Sequence, residues 1–375
     1  MERKRIVLVG PVYPFRGGIS HYTGLMCREL MRCHDVTMIS YKMQYPKFLF
    51  HKEQKDYEND SFKIDDTKYW IHTANPFNII RVARKIKKCN PDMVIIQWWH
   101  PYFAPCYYLL TKFMGKQNVT FVCHNVFPHE RFPMDKVLTR LVLKQGKHYV
   151  VHAKEEGNEL LKITKEPDYR ITPHPTYNAF QFENMSKEEA RKRLGMERDE
   201  HMLLFFGFVR EYKGLKILFH SMPELTARDD KIKLWIVGEF GSDKEEYDTI
   251  MKQLDMPDRI KVVDTYTPDR EVEKYFAAAD LVVLPYLSAT QSGIVQIAYG
   301  FGKPVVVTEV GGLPDVVEDG RTGYVVNPND SSALASAILR FFDENKEDVF
   351  IRNIEKEAYR FSWERMREVL EGFME

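Results

Sequence analysis

Residues 281–328 read LVVLPYLSATQSGIVQIAYGFGKPVVVTEVGGLPDVVEDGRTGYVVNP. The apolar run Leu281–Pro285 predicts a buried strand, and Ile294–Phe301 predicts a helix that ends at a Gly-Lys-Pro sequence. The β-branched residues Val305–Val307 predict the next strand. Strands and helices that alternate in this way are typical of a parallel sheet, so we predict an α/β fold.

The turn between the first strand and the helix is rich in small residues, namely Ser288, Thr290, Ser292 and Gly293. Small residues let the backbone approach a ligand closely, and the helix that follows presents N–H groups without intrahelical partners. Because such N–H groups attract phosphate, we expect a phosphate-bearing ligand at this turn.

Two motifs in this half of the chain resemble those of a known family. The proline-ended strand, the Ser-Gly turn, the helix ending in Gly-Lys-Pro and the sequence VGGLPD at 310–315 follow one another as in the family-4 retaining glycosyltransferases, or glycosyl transferases group 1. The sequence FGFVREYKG at 206–214 is similar to the element whose Arg and Lys hold the diphosphate of a nucleotide sugar. The resemblance implies a GT-B fold, in which two Rossmann-like parallel-sheet domains face a cleft.

The resemblance implies a donor substrate, a UDP- or GDP-linked sugar, bound by the second domain. A departing nucleoside diphosphate needs cations and oriented N–H groups around it. Arg210 offers a planar forked contact and Lys213 a compact one, and we expect both to act in catalysis. Further donor contacts are expected at Gly17, Gly18, Gly207, Glu239, Gln291, Ser292, Gly293, Ile294 and Gln296.

We expect no metal and no other cofactor. The chain has no Asp-x-Asp after an apolar strand, which is the pattern of metal-dependent transferases. A helix dipole together with the Arg/Lys pair would take the place of the metal.

The sequence departs from the family at two positions. Family members usually carry two glutamates eight residues apart, but here the first position reads Ala289 or Thr290 and the second reads Ile297 or Ala298. The amide of Gln291 or Gln296 is the available acceptor for the donor ribose, and it is weaker than a carboxylate. A non-catalytic relative therefore remains an alternative.

The N-terminal half opens with a predicted strand, Arg5–Val9, and the loop GPVYPFRGGIS at 10–20. The loop lacks the Gly-x-Gly-x-x-Gly spacing of a dinucleotide site. We expect Gly17 and Gly18 to lie against donor phosphate or acceptor, and Ser20 to cap a helix over Tyr22–Met31. A plain tight turn is the alternative.

Polar and aromatic residues follow two further predicted strands, Met93–Gln97 and Val119–Cys123. Ligands of open parallel sheets bind at the carboxyl ends of strands. His124 matches, by resemblance, the histidine that bonds the donor sugar, and we include it among the catalytic residues. Four residues are expected on the acceptor side, either stacking or hydrogen bonding, with core packing as the alternative for the tryptophans: Trp98, Trp99, His100 and His129.

The charge of the chain is unevenly distributed. Residues 1–180 contain 28 Lys and Arg against 17 Asp and Glu, a net charge of +11, whereas residues 181–375 have a net charge of −11. Basic residues cluster at 81–88 and 136–147 with helical spacing, and the segment 41–52, predicted as a loop, mixes lysines with Phe and Leu. We expect either solvated helix faces or a surface for an anionic membrane. No motif points to nucleic acid.

The length suits two domains, which we place at residues 1–180 with a return helix at 356–375, and at 181–355. No apolar run is long enough to span a bilayer and the N-terminus does not read as an export signal, so we expect a cytoplasmic chain, peripheral on the inner face of the membrane. Five scattered cysteines indicate free thiols.

Together these features predict a retaining, metal-independent hexosyltransferase of cell-surface glycan biosynthesis. Its substrates would be a nucleotide sugar and a lipid-linked or polysaccharide acceptor. Two alternatives remain open, a degenerate partner subunit of another transferase and a GT-B nucleotide-sugar epimerase.

Overall fold

The computed structural model describes residues 2–374, apart from 48, 50–52, 59, 116 and 129–133. The chain divides into two compact units. Unit 1 comprises Met1–Pro173 and Ser362–Glu375, and unit 2 comprises His174–Phe361. The divisions between the units fall after Pro173 and Phe361, whereas the sequence predicted them after residues 180 and 355.

Within its described residues, unit 1 is built on a seven-stranded parallel sheet. The strands are β1 Arg5–Val9, β2 Asp35–Met43, β3 Lys68–His72, β4 Met93–Trp98, β5 Val119–Cys123, β6 His148–Val151 and β7 Asp168–Ile171, in the order β3-β2-β1-β4-β5-β6-β7. The helices are α1 Gly18–Cys33, α2 Pro76–Lys88, α3 Ala104–Met114, α4 Asp135–Leu143 and α5 Lys154–Leu161.

Unit 2 has a six-stranded parallel sheet in the order β10-β9-β8-β11-β12-β13. The strands are β8 His201–Phe206, β9 Ile232–Val237, β10 Ile260–Val263, β11 Leu281–Leu284, β12 Val305–Thr308 and β13 Gly323–Val326. The helices are α6 Lys187–Leu194, α7 Leu215–Arg228, α8 Lys244–Leu254, α9 Asp269–Ala278, α10 Gly293–Gly300, α11 Leu313–Val316, α12 Ser331–Asp343 and α13 Glu347–Lys356. The C-terminal helix α14, Trp363–Glu371, belongs to unit 1 and packs on α1.

The central strands form because their residues are apolar on both faces. β4 and β5 are buried along their whole length, as parallel strands covered by helices on both sides must be. In each sheet the strand order reverses beside one strand, β1 in unit 1 and β8 in unit 2. Ligands of open α/β sheets bind where the order reverses, outside the carboxyl ends of the strands. The predicted α/β class with two parallel-sheet units is confirmed.

Two local predictions were wrong. The first helix begins at Gly18 rather than at Tyr22, and Ser20 lies inside it, its N–H donating to the carbonyl of Gly17 at 3.0 Å. Gly17 is the N-cap instead, because the chain turns into the helix with a φ of 109°, which favours glycine. The segment 41–52 is also not wholly a loop, since Tyr41 extends β2 and is fully buried. Residues 48 and 50–52 of that segment lie outside the described residues.

The described part of the chain contains no helix with both the length and the apolar character needed to cross a bilayer. The five cysteines are free thiols, as expected, and Cys89 is the exposed one.

Candidate functional site

The first candidate site follows β8, in the loop Gly207–Gly214. The loop is held close to its neighbours by glycines. Gly214 has a φ of +66°, and a Cβ atom there would lie 1.8 Å from the carbonyl oxygen of Pro285. Gly238, at the end of β9, would clash in the same way with the carbonyl oxygen of Gly207, at 2.2 Å. The carboxyl ends of β8, β9 and β11 therefore meet at this loop.

Lys213 is a buried cation in this loop. Lys213 is buried, with 9 % of the residue exposed, and its Nζ lies 5.8 Å from the ring centre of Tyr286. Burial, followed by the neighbouring Arg210 charge, lowers the pKa of Lys213 to about 8. Among the described residues no carboxylate forms an ion pair with it. A buried ammonium that lacks a counter-ion is unfavourable, so the pocket is suited to an external anion.

Arg210 stands beside Lys213 and is half-buried. Its guanidinium carbon lies 5.9 Å from the ring centre of Phe208, and Gly241 leaves room for the guanidinium, since a Cβ there would come within 2.7 Å of Nη1. Its Nη1 donates a long hydrogen bond, of 3.5 Å, to the carbonyl of Val209. Two adjacent cations thus share one edge of the unit 2 sheet.

The N-terminus of α10 faces the same loop. Ser292 is the N-cap, and its Oγ accepts the N–H of Ile294 at 3.2 Å, so this amide is already used within the helix. The Ile294 side chain reaches the loop, because a Cβ on Gly207 would lie 3.5 Å from its Cδ1 and 3.0 Å from the Nζ of Lys213. Gly207, Lys213, Ser292 and Ile294 are therefore brought together, with Gly293 between the last two.

Gln296 lies one turn further along α10 and is 1 % exposed. Its side-chain oxygen is buried and accepts no hydrogen bond from any described residue. A buried acceptor left unpaired costs on the order of 1–3 kcal/mol unless a ligand satisfies it. Of the positions compared with the family glutamates, Ala298 is fully buried. Gln291 is half-buried in the loop before the helix.

Glu239 follows β9 and lies alongside the loop Gly207–Gly214. Its carbonyl accepts the N–H of Val209 at 2.9 Å, and its side chain is half-buried. The described residues contain no group of three His, Cys, Asp or Glu side chains arranged to hold a metal ion.

The second candidate site lies in unit 1, where His124 follows β5. Its Nε2 is 2.8 Å from the Oε1 of Gln97, and the Gln97 amide nitrogen donates to the sulfur of Met26 at 3.3 Å. Since an amide oxygen only accepts, Nε2 of His124 carries the proton and Nδ1 is the acceptor in the neutral ring. Gly10 leaves the space for Gln97, because a Cβ there would lie 2.6 Å from its Cγ. We did not predict this role for Gln97 from the sequence.

Aromatic rings surround His124. Tyr22 meets it edge-on with ring centres 4.5 Å apart, and His152 lies 5.6 Å away. Burial lowers the pKa of His152 to about 4, although its Nδ1–H donates to the carbonyl of Thr172 at 2.9 Å. His152 is therefore neutral at physiological pH and adds no charge beside His124.

Trp98 does not face a ligand surface. It is fully buried, and its indole N–H donates to the carbonyl of Val126 at 3.2 Å. The N–H of Val126 donates to the carboxylate of Glu156, whose pKa burial raises to about 7. These two buried side chains fix the loop that follows His124, so we assign Trp98 to the core. His129 lies outside the described residues.

Trp99 and His100 remain at the carboxyl end of β4. Trp99 is half-buried and donates its indole N–H to the hydroxyl of Tyr45 at 3.3 Å. His100 accepts the N–H of Tyr102 at Nδ1, at 3.1 Å, which caps a short helical turn. Burial lowers the pKa of His100.

Gly17, the N-cap of α1, and Gly18, its first residue, leave open space, since among the described residues no atom beyond the chain neighbours lies within 4 Å of a Cβ built on either. A ligand could approach the backbone here.

Residues 200–344 match the model of the family described as Glycosyl transferases group 1. This part of the chain is a glycosyl transferases group 1 domain. The match includes the loop of Arg210 and Lys213 and the whole of α10. The resemblance to this family that the sequence suggested is therefore confirmed for unit 2.

Curated relatives of the domain include the D-inositol 3-phosphate glycosyltransferase of Corynebacterium diphtheriae, 28% identical over 234 residues that cover 60% of this chain and 54% of the relative. The chain thus spans about half the length of the curated relatives it matches.

Solved structures resemble the whole chain. Sucrose-phosphate synthase of Thermosynechococcus elongatus has a TM-score of 0.73 at 18% identity, covering 99% of this chain and 98% of that one. HepE of Anabaena, solved in complex with UDP and glucose, has a TM-score of 0.76 at 14% identity, covering 99% of each chain. The predicted GT-B fold is confirmed.

Proposed function

We propose that this chain is a retaining glycosyltransferase, which moves a hexose from a nucleoside-diphosphate sugar to a lipid-linked or polysaccharide acceptor in the cytoplasm. The observation that carries the proposal is the buried ammonium of Lys213, which stands beside Arg210 without an anionic partner among the described residues. A fold does not retain two adjacent cations at a sheet edge without a use for them, because their repulsion and burial cost stability.

The two cations suit the leaving group of the reaction. When the bond between the sugar C1 and the diphosphate oxygen breaks, negative charge grows on the diphosphate. Arg210 and Lys213 stabilise that charge more strongly in the transition state than in the bound donor, which is the condition for catalysis. We propose that these cations and the N-terminal amides of α10 other than that of Ile294 do the work that a metal ion does in other transferases.

The acceptor hydroxyl forms the new bond to C1 from the face that the diphosphate leaves, and its proton passes to the departing phosphate oxygen. His124, whose protonated nitrogen is set by Gln97, is proposed to hold a hydroxyl of the donor sugar at its other nitrogen. The unpaired oxygen of Gln296 is proposed to accept a hydrogen bond from the ribose, in place of the family glutamate.

A uridine nucleotide is the first donor to test, because the structural neighbour HepE was solved with UDP and glucose. Calorimetric titration with UDP, GDP, ADP and dTDP in the presence of EDTA should show binding of one nucleotide. Lys213→Met should abolish that binding, whereas Lys303→Met should preserve it. Lys303 is a matched control, because it is also buried and its ammonium is held by the carbonyl of Ala277 at 3.0 Å.

The titration, followed by incubation with the sugar derivative of the nucleotide that binds, separates the alternatives. A degenerate partner subunit would bind none of the nucleotides. An epimerase would bind the donor and convert its sugar without any acceptor, with no release of nucleotide. Binding that requires a divalent cation would refute the metal-independent form of the proposal.

A further inference from the structure

Three helices of unit 1 form a continuous surface with charge of one sign. The crossovers β3-α2-β4, β4-α3-β5 and β5-α4-β6 all run in one direction along the sheet, so right-handed crossovers place the three helices on the same side of it. α2 packs on α3, and α3 packs on α4. We call their solvent side the basic helix face.

The basic helix face carries ten cations on these helices and in the four residues after α4: Arg81, Arg84, Lys85, Lys87, Lys88, Lys112, Lys136, Arg140, Lys144 and Lys147. Asp135 is the acidic residue of the same segments, and because it is only 4 % exposed its carboxylate adds no negative charge to the surface. Within α2, Arg81 and Lys85 are four residues apart, as are Arg84 and Lys88. Like charges at this spacing destabilise a helix, so the pattern is not explained by the stability of the fold.

Most of these cations have no partner inside the described protein. Lys85 lies over the ring of Trp70, with Nζ 4.3 Å from its centre, and the Nζ of Lys87 lies near Gly115 at the end of α3. In the described part of the chain, Arg81, Lys88 and Lys144 form no ion pair. Their charge is available to an external polyanion.

Exposed apolar side chains lie among the cations. At the N-cap of α4 and along the helix, the apolar residues Met134, Val137 and Leu141 are 65 %, 60 % and 39 % exposed and recur at helical spacing. Lys136 and Arg140 recur beside them. α2 adds Phe77, which is 83 % exposed, and α3 adds Phe113, at 39 %. An apolar stripe beside a basic stripe is the pattern of a helix that lies in a lipid interface, with apolar tips among the acyl chains and cations at the phosphates.

We propose that the basic helix face docks on the surface of an anionic lipid bilayer. The charge complements the lipid headgroups, and the exposed apolar residues distinguish a bilayer from a nucleic acid, which offers no apolar phase to bury them. The basic helix face belongs to unit 1 and the loop Gly207–Gly214 to unit 2, so the proposal does not depend on the proposed activity.

Vesicle co-sedimentation tests the proposal. The full chain should bind vesicles of phosphatidylcholine that contain about 30 % phosphatidylglycerol, which have a negative surface potential, and should not bind vesicles of phosphatidylcholine alone. Each cation near such a surface contributes roughly a factor of five to partitioning, so the triple change Arg81→Gln, Lys88→Gln and Lys144→Gln should lower it on the order of 100-fold.

The matched control removes the same charge elsewhere. Lys192, Lys252 and Lys261 are exposed lysines of unit 2, and their change to Gln should leave partitioning within about twofold of the unmodified chain. Val137→Ser should weaken binding without changing the charge, and thermal unfolding confirms that each variant is folded.

Equal loss in the two triple variants would overturn the proposal, as would equal binding to neutral and anionic vesicles. Binding of double-stranded RNA through the same three residues, with no binding to vesicles, would assign the basic helix face to nucleic acid and would also overturn it.

Discussion

Replacing Lys213 by Met should stabilise the ligand-free protein and destroy its nucleotide site. Burial, followed by the Arg210 charge, lowers the pKa of Lys213 from 10.5 to about 8. This pKa difference corresponds to a free-energy cost of at most roughly 3 kcal/mol for keeping the Lys213 ammonium charged in the folded protein below pH 8. Met fills the same space without the charge, so we expect the free energy of unfolding at pH 7 to rise by about 1–3 kcal/mol.

The pH dependence has a definite sign. Between pH 8 and 10.5 the unfolded chain holds a proton on Lys213 that the folded chain has lost, so the unmodified protein gains stability as the pH rises through this window. Lys213→Met lacks this gain. A bound diphosphate favours the charged lysine, and nucleotide affinity should therefore decrease above pH 8 by up to about tenfold per pH unit.

Urea unfolding at pH 7, 8 and 10, with calorimetric titration of UDP at the same pH values, measures both effects. Lys303→Met is the control for burial, because the pKa of Lys303 is also lowered to about 8, by burial first and by Lys187 next. We expect Lys303→Met to bind nucleotide normally. A Lys213→Met protein that is less stable without ligand, or that binds nucleotide as the unmodified chain does, would refute our reading of the site.

Three other changes have distinct outcomes. Gly214→Ala would place a Cβ atom 1.8 Å from a carbonyl oxygen at a φ of +66°, so we expect it to lower the free energy of unfolding by about 2–4 kcal/mol and to abolish nucleotide binding. The control Gly320→Ala has a similar φ of +70° but open space around it, so chemical unfolding should show a loss of only about 1 kcal/mol. Gln97→Glu supplies a carboxylate to the ring, so His124 should take a second proton at neutral pH, which nitrogen-detected NMR of the imidazole would reveal. Burial raises the pKa of Glu156 to about 7, so between pH 4.5 and 7 the folded protein holds a proton that the unfolded chain has lost, and stability decreases as the pH rises. Glu156→Gln should remove this decrease.

Each of these outcomes can fail. Equal losses for the two glycine variants would mean that close backbone approach is unimportant at Gly214. An unchanged imidazole spectrum in Gln97→Glu would contradict the hydrogen bond to His124. A pH profile that survives in Glu156→Gln would assign the titration to another group.

Local chemistry made much of unit 2 predictable. β11 and β12 have the bounds expected from sequence to within one residue, because runs of apolar and β-branched residues are local signals. The start of α1 was misplaced because Ser20 is a good cap by type, while the left-handed turn at Gly17 supplies the actual start. Residue type alone does not decide between two such signals.

The details of the site depend on contacts between distant segments. The burial of Lys213 arises from its packing near β11, and no local pattern shows it. Trp98 was expected to face a ligand because it ends β4, yet it packs inward and bonds to Val126, which is 28 residues further along the chain. Gln97 did leave a signal, since an amide in the apolar run MVIIQW must find a buried partner, and that partner is His124.

The central claim is that this chain transfers a sugar from a nucleotide donor with retention of configuration. The most direct measurement is NMR of the reaction with UDP-, GDP-, ADP- and dTDP-sugars in EDTA, with water as the acceptor, observed before the released sugar mutarotates. The account predicts slow release of sugar from one donor, with the anomeric configuration of that donor, and no release by Lys213→Met. Release of the opposite anomer, or undiminished release by the Lys213 variant, would contradict it.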